Sequence, residues 1–265
     1  MIPTNEERDI LIIVKTYPEI SRKHTETVCT GGILSDTGEL VRLYPIRYRY
    51  LDGENQFKKY QWIRAKINKT PNDNRPESYN IDYASMSLGD YIEPGKDWHE
   101  RRKWVLNEYN VYKSLEALHI TQEDKGTSLG LIKPKKIEGF FAKRKTNEDI
   151  KEAIAKKDSI VNQLDMFEQK KDLEILPYYL MLKFYCDDKR CAGHELSILD
   201  WEFGELYRKV KNRPGWEEII DRKIRGICNP KRDTYFILGN MHRWQHVFCI
   251  LGFFYPPKQR QMRLF

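Results

Sequence analysis

Thr27-Val28-Cys29-Thr30-Gly31-Gly32-Ile33-Leu34-Ser35-Asp36-Thr37-Gly38-Glu39-Leu40-Val41-Arg42-Leu43-Tyr44-Pro45-Ile46 reads as two β-rich runs around a four-residue turn. Val, Ile, Thr and Tyr suit a pleated, half-buried surface, and Ser35 to Gly38 supplies the short polar side chains and the glycine that a tight reversal needs. The pattern predicts a β-hairpin, Thr27 to Leu34 against Glu39 to Ile46. Upstream, Ile10 to Val14 is an unbroken apolar run of strand length, ended by Lys15-Thr16-Tyr17-Pro18 and followed by a polar loop, Ser21 to Glu26. Downstream, Phe57 to Lys69 alternates, with Ile63, Ala65 and Ile67 on one face and Trp62, Arg64 and Lys66 on the other. These runs predict a small twisted antiparallel sheet or partial barrel in the first seventy residues.

The remainder mixes both kinds of element, so the expected class is α+β with helices packed on the sheet. Val105, Tyr109, Tyr112, Leu115 and Leu118 recur at helical spacing and predict one long helix over Trp98 to His119. Leu129 to Phe141 is strand-like, as are Leu176 to Cys186, Thr234 to Leu238 and Val247 to Tyr255, the last stopped by Pro256-Pro257. Ser197 to Val210 reads as a helix with Ser197 and Asp200 in an S-x-x-D capping pattern. The expected organisation is a β-rich part over residues 1–142, a charged helical linker over 143–175, a second α+β part over 176–258 able to complete the same sheet, and a tail over 259–265.

The 265 residues can bury a full core, and 40% hydrophobic with 12% aromatic residues argue for a folded chain. The net charge of +7 is compatible with a nucleic-acid partner. No signal peptide opens the sequence and no run approaches a membrane span, so a cytoplasmic protein without membrane contact is expected. In that setting the five cysteines read as free thiols or metal ligands.

Three constellations can carry chemistry. Arg42, Tyr44, Arg47, Tyr48, Arg49 and Tyr50, then Lys58, Lys59, Tyr60, Trp62, Arg64 and Lys66, interleave cations for phosphates with rings for unstacked bases. A solvated sheet face is the plainer reading of the same residues. Cys186-x4-Cys191-x2-His194 offers three zinc-type ligands at the end of a strand; a fourth for structural zinc is open among Cys228, His242, His246 and Cys249. Glu26, His194, Glu195, Asp200 and Glu202 are candidate acid-base groups, of which Glu26 and Asp200 are the catalytic candidates for base excision or strand cleavage. Asp200 also has the plainer role of helix cap. The phosphate-binding G-x-x-x-x-G-K-[ST] is absent, as are G-x-G-x-x-G, H-E-x-x-H, G-x-S-x-G and the zinc-deaminase pattern.

Two pentapeptides share one pattern: Gln163-Leu164-Asp165-Met166-Phe167 and Gln261-Met262-Arg263-Leu264-Phe265. Each has a Gln anchor and an apolar-Phe end, a form that resembles the peptide by which bacterial DNA-processing proteins bind the β sliding clamp. In the alternative, Ile160, Leu164 and Phe167 lie on one face of an ordinary amphipathic helix. The resemblance implies clamp contacts by Gln163, Leu164, Met166 and Phe167 and by Gln261, Met262, Leu264 and Phe265. Blocks such as Arg42-Leu43-Tyr44-Pro45 and Cys191-Ala192-Gly193-His194 further resemble an uncharacterised bacterial protein family. The expected function is DNA processing at the clamp, in repair or in defence against foreign DNA, as a glycosylase or nuclease. Alternatives are a non-catalytic clamp-binding regulator of replication and an RNA-binding module.

Overall fold

The computed structural model describes residues 6–21, 25–161 and 173–259. β1 (Glu6–Lys15) is continuously apolar from Ile10 to Val14 because both its faces are buried. Ile10 and Ile12 enter one core, Leu11, Ile13 and Val14 another. β2 (Glu19–Ser21) pairs with the start of β3 (Thr25–Leu34), so Ser21, Thr25 and Glu26 of the expected polar loop are strand. β3 then turns into β4 (Leu40–Ile46) as the hairpin pattern predicts, with Ile33 opposite Leu40 and Gly38 at φ +71° closing the turn.

Two 3-10 turns lead from β4 to β5 (Gln61–Lys69), whose Ile63, Ala65 and Ile67 are fully buried. β6 (Ser78–Ile81) pairs antiparallel with β5 and parallel with β4, Arg42 beside Ser78 and Leu43 beside Tyr79. β5 also pairs with β1, so the ring β1-β3-β4-β6-β5 closes on itself as a five-strand mixed barrel. This order, with its single parallel pair, is the connectivity of the OB-fold. Ile10, Ile12, Leu34, Val41, Leu43 and Phe57 are among the side chains filling the interior. β7 (Ser87–Tyr91) adds to β5 outside the ring.

The long helix expected over Trp98 to His119 is broken. α1 (His99–Val105) stops where the Tyr109 N–H donates to Asn107 Oδ1 at 3.0 Å and Asn110 Nδ2 donates to Gly38 O at 2.8 Å. Such side-chain bonds compete with the helical ladder. β8 (Val111–Tyr112) follows, and Ser114 accepts the Ala117 N–H at 3.1 Å to start α2 (Leu115–Lys125). Beyond it come β9 (Leu129–Ile132), β10 (Lys136–Arg144), α3 (Asn147–Val161), β11 (Tyr178–Tyr185), β12 (His194–Ser197), α4 (Trp201–Val210), α5 (Trp216–Ile227), β13 (Tyr235–Asn240) and β14 (Phe248–Phe254). Ser197 lies in β12, and the cap of α4 is Asp200, which accepts the Phe203 N–H at 3.2 Å. α5 was not expected; Ile220, Ile224 and Ile227 form its buried face.

β10, β11 and β12 form an antiparallel sheet, and β8, β9, β13 and β14 a second one of four strands. That second sheet lies between two cores, which is why every residue of β14 is buried. On one side Leu129, Leu131, Ile237, Leu251 and Phe254 pack against the outer face of β1 and of the hairpin. On the other, Phe236, Leu238, Phe248, Ile250 and Phe253 meet α2, α4, α5 and β11. Within the expected linker, β10 runs to Arg144 and α3 is helical, in contact with β2. Both pentapeptides lie outside the described residues.

Candidate functional site

The turn-distal half of the β3–β4 outer face is not covered by the second sheet. It forms the floor of a cavity of about 1060 Å³, built from Thr16, Thr27, Cys29, Arg42 and Tyr44. Strand alternation decides this: Val41 and Leu43 point into the barrel, so Arg42 and Tyr44 point out. Glu19 and Ile20 of β2 form one rim and the β5–β6 loop, Thr70 to Arg75, the other. The wall comes from the β13–β14 turn, Asn240 to Trp244, with Glu152 and Lys156 of α3.

The turn is fastened to the loop. Arg75 Nη1 donates to Asn240 O at 2.9 Å, Gln245 Nε2 donates to Asn74 Oδ1 at 2.6 Å, and His242 Nε2 lies 3.1 Å from Asn72 O. Arg75 also forms a buried ion pair with Asp73 at 2.6 Å. Burial by itself would raise the Asp73 carboxyl, but the hydrogen bonds and charge of Arg75 hold it at about 2.

Arg42 is differently placed. Its side chain is buried, with Nη2 donating to Ser128 O at 3.1 Å and Nη1 to Cys29 Sγ at 3.4 Å. Its Nε has no hydrogen-bond partner, and no carboxylate forms an ion pair with it among the described residues. The Glu77 carboxylate instead accepts Ser128 N–H at 2.9 Å and Ser128 Oγ–H at 2.7 Å. A buried guanidinium on a cavity floor without an acidic partner is a place for an anion or another strong acceptor. Trp244, 55% exposed, and Tyr83, 37% exposed, also line the cavity and offer flat aromatic surface.

Of the seven nucleic-acid-binding candidates, Arg42 alone lines this cavity. Arg47 lies over the Tyr50 ring at 4.8 Å, Arg49 pairs with Glu26 at 2.9 Å, and Lys58 is 5.9 Å from the Tyr91 ring centre. Lys59 donates to Phe253 O at 3.0 Å, Trp62 stacks edge-on against Trp104, and Arg64 forks onto Asp9 with two bonds of 2.7 Å. The catalytic candidates Glu26 and Asp200 are both buried and neither lines the cavity. Asp200 caps α4, and burial pushes its carboxyl up to about 6 against the opposing pull of Lys59. Sequence reasoning missed the β13–β14 turn, although Met241-His242-Arg243-Trp244 between two apolar strands is itself a basic-aromatic signal.

A second site gathers Cys186, Cys191 and His194 as the spacing suggested, but none of the four proposed partners completes it. Glu116, in the first turn of α2, does. One donor atom from each of the four residues lies within 4.8 Å of the other three, a group able to hold a metal ion. His194 Nε2 is 3.3 Å from Cys191 Sγ and 2.9 Å from Glu116 Oε1.

Residues 110–265 match the family described as a domain of unknown function, DUF8757. The chain belongs to that family. Residues 6–107 match a second domain of unknown function, DUF8758, and the two matches of this DUF8757 member meet in the turn that separates α1 from β8. No curated protein matches the chain. Among solved structures it is similar to a chain of a replication protein A heterotrimer bound to single-stranded DNA, at 12% identity and a TM-score of 0.23, with 97% of this chain and 67% of that chain covered. A TM-score that low supports neither a shared fold nor a shared role. Among the described residues no helix is long and apolar enough to cross a membrane.

Proposed function

We propose that the cavity binds single-stranded DNA, and that the two pentapeptides bring the protein to the β sliding clamp for work in repair or defence. The observation that carries the reading is Arg42, a buried cation without a carboxylate partner on the floor of the groove. OB barrels take oligonucleotides across the face of their second and third strands, between the loops after the first and fourth. The cavity occupies that place, between β2 and the β5–β6 loop. Trp244 and Tyr83 supply stacking surfaces, and Arg243 at the wall supplies positive charge. Binding rather than bond cleavage fits the groove, since Glu26 faces Arg49 and Asp200 caps α4.

Fluorescence anisotropy with labelled single-stranded DNA, duplex DNA and RNA of one sequence, at several salt concentrations, tests this. Single-stranded DNA should bind tightest, and Trp244→Ala should weaken it about 5- to 150-fold, the range for loss of one base stack. Tighter RNA binding would reassign the ligand. Binding untouched by Trp244→Ala and Arg243→Ala would remove the groove from the account.

A further inference from the structure

We propose that Glu116, Cys186, Cys191 and His194 bind one zinc ion that clamps the β11–β12 connection to the first turn of α2. The arrangement of the imidazole carries the argument. Cys191 Sγ at 3.3 Å and Glu116 Oε1 at 2.9 Å both approach the same ring nitrogen, His194 Nε2. A nucleophile-base-acid triad uses the two ring nitrogens separately, one for the thiol and one for the acid. Here the sulfur, the ring nitrogen and the carboxylate oxygen converge on one point, the place a cation would occupy.

The distances suit zinc. Ligands about 2.0 to 2.3 Å from a tetrahedral ion stand about 3.3 to 3.8 Å apart, and the four donor atoms already lie within 4.8 Å of one another without an ion to draw them in. Two sulfurs, one imidazole nitrogen and one carboxylate oxygen are a borderline-soft set that favours zinc over magnesium or calcium.

Backbone donors already reach both sulfurs. The Leu115 N–H donates to Cys186 Sγ at 3.4 Å and the Cys186 N–H to Cys191 Sγ at 3.2 Å. Glu116 Oε2 is buried without a hydrogen-bond partner, so the carboxylate has capacity unused by the protein. Asp188 orders the loop between the cysteines, taking Ser114 Oγ–H at 2.8 Å and the Arg190 guanidinium at 2.8 Å and 3.0 Å. Such outer partners hold ligands in position before the ion arrives. Ser114 is also the cap of α2, so the loop and the helix start share one anchor.

The full chain, purified in reducing buffer without chelator, should carry about one zinc per molecule by elemental mass spectrometry. After zinc removal, cobalt(II) should restore the visible bands of a tetrahedral site together with a near-ultraviolet thiolate-to-cobalt band. Glu116→Ala should keep that thiolate band while weakening zinc by at least the roughly 10- to 100-fold that loss of an outer partner costs. Cys191→Ser should diminish the band, and His246→Ala, outside the cluster, should change nothing. Zinc below about 0.1 per chain with no thiolate-to-cobalt band in the wild type would overturn the proposal, because structural zinc is held far too tightly to be lost in purification. A Cys186–Cys191 disulfide in freshly purified protein would overturn it as well. Unchanged affinity in a folded Glu116→Ala would remove Glu116 as a ligand.

Discussion

Replacing Arg42 by Met separates a structural role from a binding one. In the free protein the change removes charge-assisted hydrogen bonds to Ser128, worth about 1.5 to 3 kcal/mol each, and leaves Ser128 O buried. It also removes a buried guanidinium, whose desolvation costs several kcal/mol and which no carboxylate offsets directly. Met keeps the stem and its flexibility, so the two effects nearly cancel and urea unfolding should shift by no more than about 2 kcal/mol. With DNA bound, Arg42 would meet a phosphate or base acceptor in a place that water reaches poorly. Losing one such contact, again about 1.5 to 3 kcal/mol, weakens binding about 10- to 150-fold. If the contact is a phosphate, the slope of log affinity against log salt should fall by about 0.7. Arg42→Lys should keep the slope and lose part of the affinity, because an ammonium cannot reproduce the fork. A folded Arg42→Met protein that binds DNA with unchanged affinity and slope would refute the reasoning.

Three further outcomes are expected. A Cβ on Gly204 of α4 would lie 2.2 Å from Tyr17 Cδ2, in a ring held by its hydroxyl donating to Glu174 O, whereas one on Gly226 of α5 meets nothing within 4 Å. Gly204→Ala should therefore lower Tm despite a helix-propensity gain of about 1 kcal/mol, and Gly226→Ala should raise it by about 2 to 4 °C; two increases would mean that Tyr17 does not seat on α4. Burial raises Asp200 from 3.8 to about 6, so the stability it contributes is fully present below pH 3.8 and is lost as pH rises through about 6. Asp200→Asn keeps an acceptor for the Phe203 N–H without titrating, and the variant should gain on the wild type between pH 4 and pH 7 by at most about 3 kcal/mol; a difference constant with pH would mean the carboxyl titrates normally. For the clamp peptides, deletion of residues 261–265 should weaken binding to an immobilised β clamp and the addition of Phe167→Ala should weaken it further; undiminished binding by the double variant would dismiss both.

Local patterns were legible where one face or both faces of a strand are buried. Ile10 to Val14 and Val247 to Tyr255 read as strands because the chain must hide them on two sides, and the hairpin because Gly38 marks its turn. The α1–α2 break was not legible, since Tyr112, Leu115 and Leu118 continue the apolar spacing while Asn107, Asn110 and Ser114 end one helix and start another through side-chain bonds. The closure of the barrel was hidden for another reason. The parallel pair of β4 with β6 joins residues 36 positions apart, and no local period encodes it. Glu116 escaped for the same reason, standing 70 residues before Cys186 in an otherwise ordinary first helical turn.

The groove shows most plainly why function was harder to read than fold. Its floor comes from the segment that matches one domain description and its wall from the segment that matches the other. Those segments are not independent bodies, for Leu11, Ile13, Ile33 and Leu40 of the first share a core with Leu129, Ile237, Leu251 and Phe254 of the second. Separating them would expose that core and at the same time remove either Arg42 or Trp244 from the cavity. The basic-aromatic character of the strands was visible in the sequence, yet most of those side chains are used within the barrel surface or its interior. What remains for a ligand is the residue whose charge the protein leaves without an acidic partner. That selection depends on partners brought together by the fold, and composition cannot make it.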